Sequence, residues 1–181
     1  MARIRGILVV GVLVVLGAAC SGSVQFSFGG QSAAEAAVDL IESEEMAQRL
    51  MVDPITGAMC DDPPNEDEGT TFACTATSGE DVVEFEVLIE PDDRIFAGPT
   101  NVVSADQFQQ YEEGAVDALN AQNDFLLELD SIDCGRESVV LDNTRQLDCV
   151  LTDADVQYET VITVTDTIRG VFEVEILDVI E

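Results

Sequence analysis

The residues of this chain best placed to do chemistry are its five cysteines. Cys20 stands apart from the others. Arg3 and Arg5 precede an apolar run that starts at Ile7, and Gly17-Ala18-Ala19 lead directly into Cys20. A basic start, a short apolar core and small residues before a cysteine compose an export signal, and a cysteine in that place takes a thioether-linked diacylglycerol when the signal is cut. The run is interrupted by Gly11 and Gly17 and falls short of the roughly 20 apolar residues that a membrane span needs. Gly17 occupies the position where lipid-attachment signals usually carry Leu, whereas Leu16, Ala18 and Ala19 fit. The expectation is a lipoprotein signal peptide over residues 1–19, lipid on Cys20 and a polar, Gly-rich tether over residues 20–31. Cleavage nearby without lipid and an uncleaved anchor are the alternatives. Val24, Phe26 and Phe28 alternate within the tether, so a short strand is the alternative there.

Setting Cys20 aside leaves Cys60, Cys74, Cys134 and Cys149. An even number of cysteines in an exported chain favours disulfides, and four allow three pairings. No C-x-x-C is present for redox work, and the spacing lacks the close knuckles of a four-thiolate zinc site. The pairings Cys60–Cys74 and Cys134–Cys149 fit the surrounding pattern best. Each would close a loop of about 15 residues, worth roughly 3 kcal/mol as lost chain entropy.

The elements that must position these cysteines occur twice. Ser32 with Glu35 suggests a capping box. Ala36, Leu40, Ala47 and Leu50, widened by Val38 and Ile41, then supply an apolar helix face ending before Asp53-Pro54. After Cys60 and the acidic DDPPNEDEG loop, residues 70–77 read as a strand holding Cys74. Val83, Phe85, Val87 and Ile89 alternate as the apolar side of a second strand, and Arg94 to Ala97 suggest a short edge strand. In the second half, Ser104 with Gln107 suggests another cap. Phe108, Tyr111, Ala115, Ala118 and Leu119 form a stripe, weakened by Gly114. Strands follow near Ser138 to Leu141, Gln146 to Thr152 (holding Cys149), Tyr158 to Val164 and Val171 to Ile176. Cys74 and Cys149 differ by the same offset as Val87 and Ile162, and as Ile89 and Val164. The expected fold class is therefore α+β: two similar small units, residues 32–98 and 104–181. Each would be an N-terminal helix packed on an antiparallel β-meander with one disulfide. Two domains and one pseudo-symmetric domain both satisfy the pattern. Units of this size need a staple.

The cysteine frame resembles the actinobacterial domain of unknown function 4333, found in secreted proteins and lipoproteins. The residues that carry the likeness are Cys60, Gly69, Phe72, Cys74, Val83, Phe85 and Val87 in the first copy, and Cys134, Leu147, Cys149, Tyr158 and Ile162 in the second. It spans about residues 33 to 97 and 105 to 178. Asp61 and Gly135 stand where the family often has Pro. The resemblance implies an extracytoplasmic setting and stapled α+β units. It implies no activity.

Composition narrows the function classes. The 181 residues carry a formal charge of −30, with 37 acidic and 7 basic residues and no His. All seven basic residues are Arg, and cleavage before Cys20 removes two of them. So few basic residues against so many acids argue against neutralising a nucleic-acid backbone or docking a basic face on anionic lipid. The lack of His removes the commonest general base and the Ser-His-Asp triad. Asp61, Asp62, Glu66, Asp67 and Glu68 crowd one loop as weak calcium candidates, although the spacing is not an EF-hand and Pro63-Pro64 constrain any wrap. No catalytic residue and no cofactor is indicated. The expected partners are the membrane, through lipid on Cys20, and an envelope protein, peptide or glycan. The expected role is a non-enzymatic binding or accessory lipoprotein at the extracytoplasmic face of a bacterial membrane. The competing expectation is a small carboxylate-dependent hydrolase of envelope polymers.

Overall fold

The computed structural model describes residues 7–9, 24–27, 30–123, 127–128 and 131–180. Cys20, Phe28 and the export signal apart from Ile7–Val9 lie outside them. In chain order the elements begin with strands β1 (Ile7–Val9) and β2 (Val24–Ser27), helices α1 (Ala33–Ile41) and α2 (Glu44–Leu50), then strands β3 (Ile55–Cys60), β4 (Thr71–Ser78), β5 (Asp81–Glu90), β6 (Arg94–Pro99) and β7 (Val102–Val103). Helix α3 (Ala105–Asn123) follows, then β8 (Ile132–Asp133), β9 (Val139–Val140), β10 (Gln146–Asp153), β11 (Val156–Asp166) and β12 (Val171–Ile180). The protein is α+β, with antiparallel sheets, and its contacts divide it into two compact units.

The first unit holds a five-stranded sheet in the order β2-β6-β5-β4-β3. Its local structure begins at Ser32. The Ser32 hydroxyl accepts from the Glu35 N–H at 3.2 Å, and the Ser32 N–H donates to Glu35 Oε2 at 3.1 Å, completing the capping box. The single expected helix is two. Ser43 breaks it: its hydroxyl donates to the Leu40 carbonyl at 2.7 Å and accepts from the Met46 N–H at 3.2 Å. It thereby closes α1 and caps α2, and Glu44 and Glu45 favour the new N-terminus. Helix α2 ends at Met51, which adopts a left-handed conformation at φ 52°. Ser43→Ala is expected to cost about 1 kcal/mol, read as a shift in the denaturant midpoint at unchanged slope.

Strands β4 and β5 alternate buried and exposed residues, as the sequence pattern requires of a sheet with one covered face. Phe72, Cys74, Ala76, Val83, Phe85, Val87 and Ile89 point inward against Ala36, Ala37, Leu40, Ile41 and Met46 of the helices. Strand β6 is internal, not at the edge as expected, because β2 pairs along its other side from Val24↔Ala97 to Ser27↔Arg94. Thus the strand alternative within the tether region is what the structure holds. The hairpin between β5 and β6 turns at Asp92 and Asp93, both at positive φ, the geometry that matches strand twist. Asn101 then acts as a false strand residue. Its side-chain oxygen accepts from the Glu84 N–H and its amide donates to the Val82 carbonyl, each at 2.9 Å. Residues 138–140 also belong to this unit, and Val140 packs on its core.

The second unit holds a sheet in the order β1-β12-β11-β10-β8. Helix α3 covers it with Phe108, Tyr111, Ala115, Val116 and Leu119, which meet Leu147, Cys149, Leu151, Ile162, Val164, Phe172 and Val174. The Tyr111 and Phe172 rings meet edge to face at 5.6 Å. At the helix start only half of the expected capping box forms. The Ser104 N–H donates to Gln107 Oε1 at 2.9 Å, while the Ser104 hydroxyl also donates rather than capping an N–H. Near the other end, Asn120 holds Leu127 by both its N–H and its carbonyl. The outermost strand was not expected at all. Ile7–Val9, from the apolar run of the export signal, pairs antiparallel with Val174–Ile176.

Candidate functional site

Both expected disulfides are present. Cys60 and Cys74 are direct cross-strand neighbours on β3 and β4, with Cα atoms 4.0 Å apart. Cys134 follows β8 and meets Cys149 of β10 at a Cα separation of 4.1 Å. The sheet register therefore presets each bridge. Glu112 of α3 adds a second hold on Cys134, accepting its N–H at 3.0 Å.

The acidic loop after Cys60 keeps its five candidate ligands on one segment, all exposed. Glu66 is committed elsewhere: its Oε1 accepts the Ala33 N–H at the start of α1, at 3.1 Å. This is a favourable place for a carboxylate, since that N–H has no partner inside the helix. Asn65 shapes the loop by accepting from the Asp67 N–H and the Thr70 hydroxyl. Among the described residues no three Cys, Asp or Glu side chains gather into a group that could hold a metal ion. Neither the Glu66 contact nor the part played by Asn65 was signalled by local sequence pattern.

What each unit presents instead is an open sheet face, opposite its helices. In the first unit this face carries Thr71, Ala73, Thr75 and Thr77 of β4 beside Glu84 and Glu86 of β5, with Thr75 opposite Glu84 and Ala73 opposite Glu86. In the second, Asp148, Glu159, Glu173 and Glu175 lie on the corresponding side. The described Asp and Glu side chains are exposed or half-buried, and the buried polar side chains are Ser78, Asn101, Ser104, Thr160 and Thr167. Asp142 is held below the usual carboxylate range by hydrogen bonds from the Thr144 hydroxyl and N–H, a turn-forming arrangement.

Tyr111 is the other displaced group. Burial, with a smaller push from Asp166, raises its phenol well above the ordinary tyrosine value. Its hydroxyl is buried and has no hydrogen-bond partner among the described residues. The associated stability is fully present below the ordinary tyrosine pKa and falls as pH rises above it toward the raised value. Because the hydroxyl is unsatisfied, Tyr111→Phe is expected to leave stability unchanged or raise it by up to about 1 kcal/mol. Thermal unfolding of the two proteins at neutral pH checks the sign.

Fold and site together define a protein of two small, disulfide-stapled α+β units with acidic open faces. No family model matches the chain, and no curated protein and no solved structure matches it either.

Proposed function

We propose that this chain is an extracytoplasmic lipoprotein, cut before Cys20 and held to a bacterial membrane by lipid on that residue. Its two units serve as a non-enzymatic binding or accessory module for an envelope protein, peptide or glycan. They are read as divergent copies of the domain of unknown function 4333. The observation that carries the location is the pair of disulfides, since such bridges persist in oxidising compartments outside the cytoplasm. The export signal ending at Cys20 points the same way. The binding role is favoured over hydrolysis by the placement of the acids. A carboxyl acting as general acid near neutral pH is held protonated by burial, whereas the described Asp and Glu side chains are exposed or half-buried, Glu90 alone among them having a buried, unpartnered carboxylate oxygen.

The test is intact and peptide mass spectrometry, without reduction, on the membrane fraction of the native host. The expected result is a diacylglyceryl mass on Cys20, with nothing remaining of residues 1–19. An unmodified Cys20 would overturn the anchor, and recovery of the protein from the cytoplasm would overturn the location.

A further inference from the structure

In the first sheet the outermost strand beside β6 is β2, residues 24–27, which lies after Cys20 and stays with the protein after cleavage. In the second sheet the outermost strand beside β12 is β1, residues 7–9, which lies before Cys20 and, on the proposed cleavage, would leave with the signal. Maturation therefore strips one sheet and not the other. It frees the main-chain groups of Val174, Glu175 and Ile176, which pair with Val9, Leu8 and Ile7. A stripped edge of this kind is a template for a further strand.

We infer that cleavage opens the β12 edge as a peptide-binding site, and that its ligand is an extended peptide alternating apolar and basic side chains. This rests on the proposed cleavage before Cys20. That the edge accepts an extended apolar segment is demonstrated by the seating of Ile7-Leu8-Val9. The basic component follows from the two faces of β12. Phe172, Val174 and Ile176 are buried on the core side, and Glu173 and Glu175 lie on the other. The bulge after Ile176 shifts the alternation, because Thr160 pairs with Ile176 but Glu159 pairs with Asp178. It brings Asp178 to the side of the two glutamates, with Glu159 opposite it. A peptide strand laid on this edge would meet a row of carboxylates along one face. A second copy of the chain is the wrong occupant. Two β12 edges laid together would set identical acidic rows side by side, and like charges across a strand pair are destabilising.

The experiment uses the mature lipoprotein from host membranes in detergent, with its mass recorded first. The probe is a labelled synthetic peptide, Arg-Gly-Ile-Lys-Val-Lys, built on residues 5–10 with Lys at positions 8 and 10, which the Leu8↔Glu175 register sets beside Glu175 and Glu173, with a counterpart carrying Glu at both Lys positions. Binding is read by fluorescence anisotropy, and its place by amide hydrogen exchange. The expected result is slowed exchange over Val171–Ile180 on adding the peptide. Affinity should be about tenfold weaker for the acidic counterpart and for the Glu173→Lys/Glu175→Lys variant, with a matching loss at raised salt. A mass cut before Cys20 with no peptide-dependent protection there would overturn this inference alone. So would equal affinity for the two peptides, or protection of β12 that depends on protein concentration in the absence of peptide. A mass retaining residues 1–19 would overturn the cleavage reading and this one with it, because the edge would remain filled.

Discussion

Phe85→Ala is expected to lower the stability of the first unit by about 4 kcal/mol. Phe85 is among the largest fully buried side chains, at 2% exposure. It sits in the middle of β5, opposite Cys74 on one neighbouring strand and Pro99 on the other. Its inward neighbours along β5 are Val83 and Val87, both completely buried. Truncation removes the transfer free energy of the ring and leaves a cavity between sheet and helix. The Cys60–Cys74 bridge ties β4 in place and limits collapse around that cavity. A unit of this size has only about 5–10 kcal/mol in hand, so the loss is a large fraction of the total. Denaturant unfolding followed by hydrogen exchange over β4 and β5 measures it. A cost below about 1 kcal/mol would mean that the core is looser than the burial pattern states.

Replacing Cys134 and Cys149 together by alanine is expected to cost about 3 kcal/mol, the second large effect. The bridge spans 15 residues of sequence and joins the residue after the two-residue edge strand β8 to the neighbouring strand β10. Beyond β8 the segment is held by hydrogen bonds from the Cys134 N–H to Glu112 and from the Gly135 N–H to the Asp133 side chain. Without the bridge, the loop-closure entropy must be met by the Ile132↔Leu151 and Asp133↔Val150 pairings. Exchange should therefore quicken first at residues 131–135, ahead of global unfolding, and reduction of the native protein should reproduce it. Removing Cys60–Cys74 should disturb its own segment less, because β3 is six residues long and pairs with β4 from Ile55 onward.

The contrast between the two bridges illustrates what was legible in the sequence. The alternation at Val83, Phe85, Val87 and Ile89, and at Ile162 and Val164, identified buried sheet faces because strand side chains have a period of two. The stripe from Phe108 to Leu119 identified the covering helix by its longer period. The disulfide partners followed from the shared offset of the two halves. The Ser43 break was missed because the apolar spacing continues across it, although a Ser followed by two glutamates is itself a start signal. Asn101, Asn120 and Glu66 were missed because each binds a main-chain group far along the chain or past a turn, where no local period marks the partner.

The sequence by itself indicated most of the elements, their inward faces and the best-fitting cysteine pairs, since these depend on local periodicity and on spacing within each half. It also set the acidity of the surface and the apolar character of the export signal. Only the tertiary structure decided which strand lies at which edge. Strand order is a matter of long-range pairing, and Ile7–Val9 reaches a partner near the opposite end of the chain. The same three residues therefore serve two readings: a piece of apolar signal when judged by composition, and a fifth strand when judged by register. Backbone hydrogen bonding is indifferent to side-chain sequence, and it is this indifference that left the strand invisible until the sheet was seen.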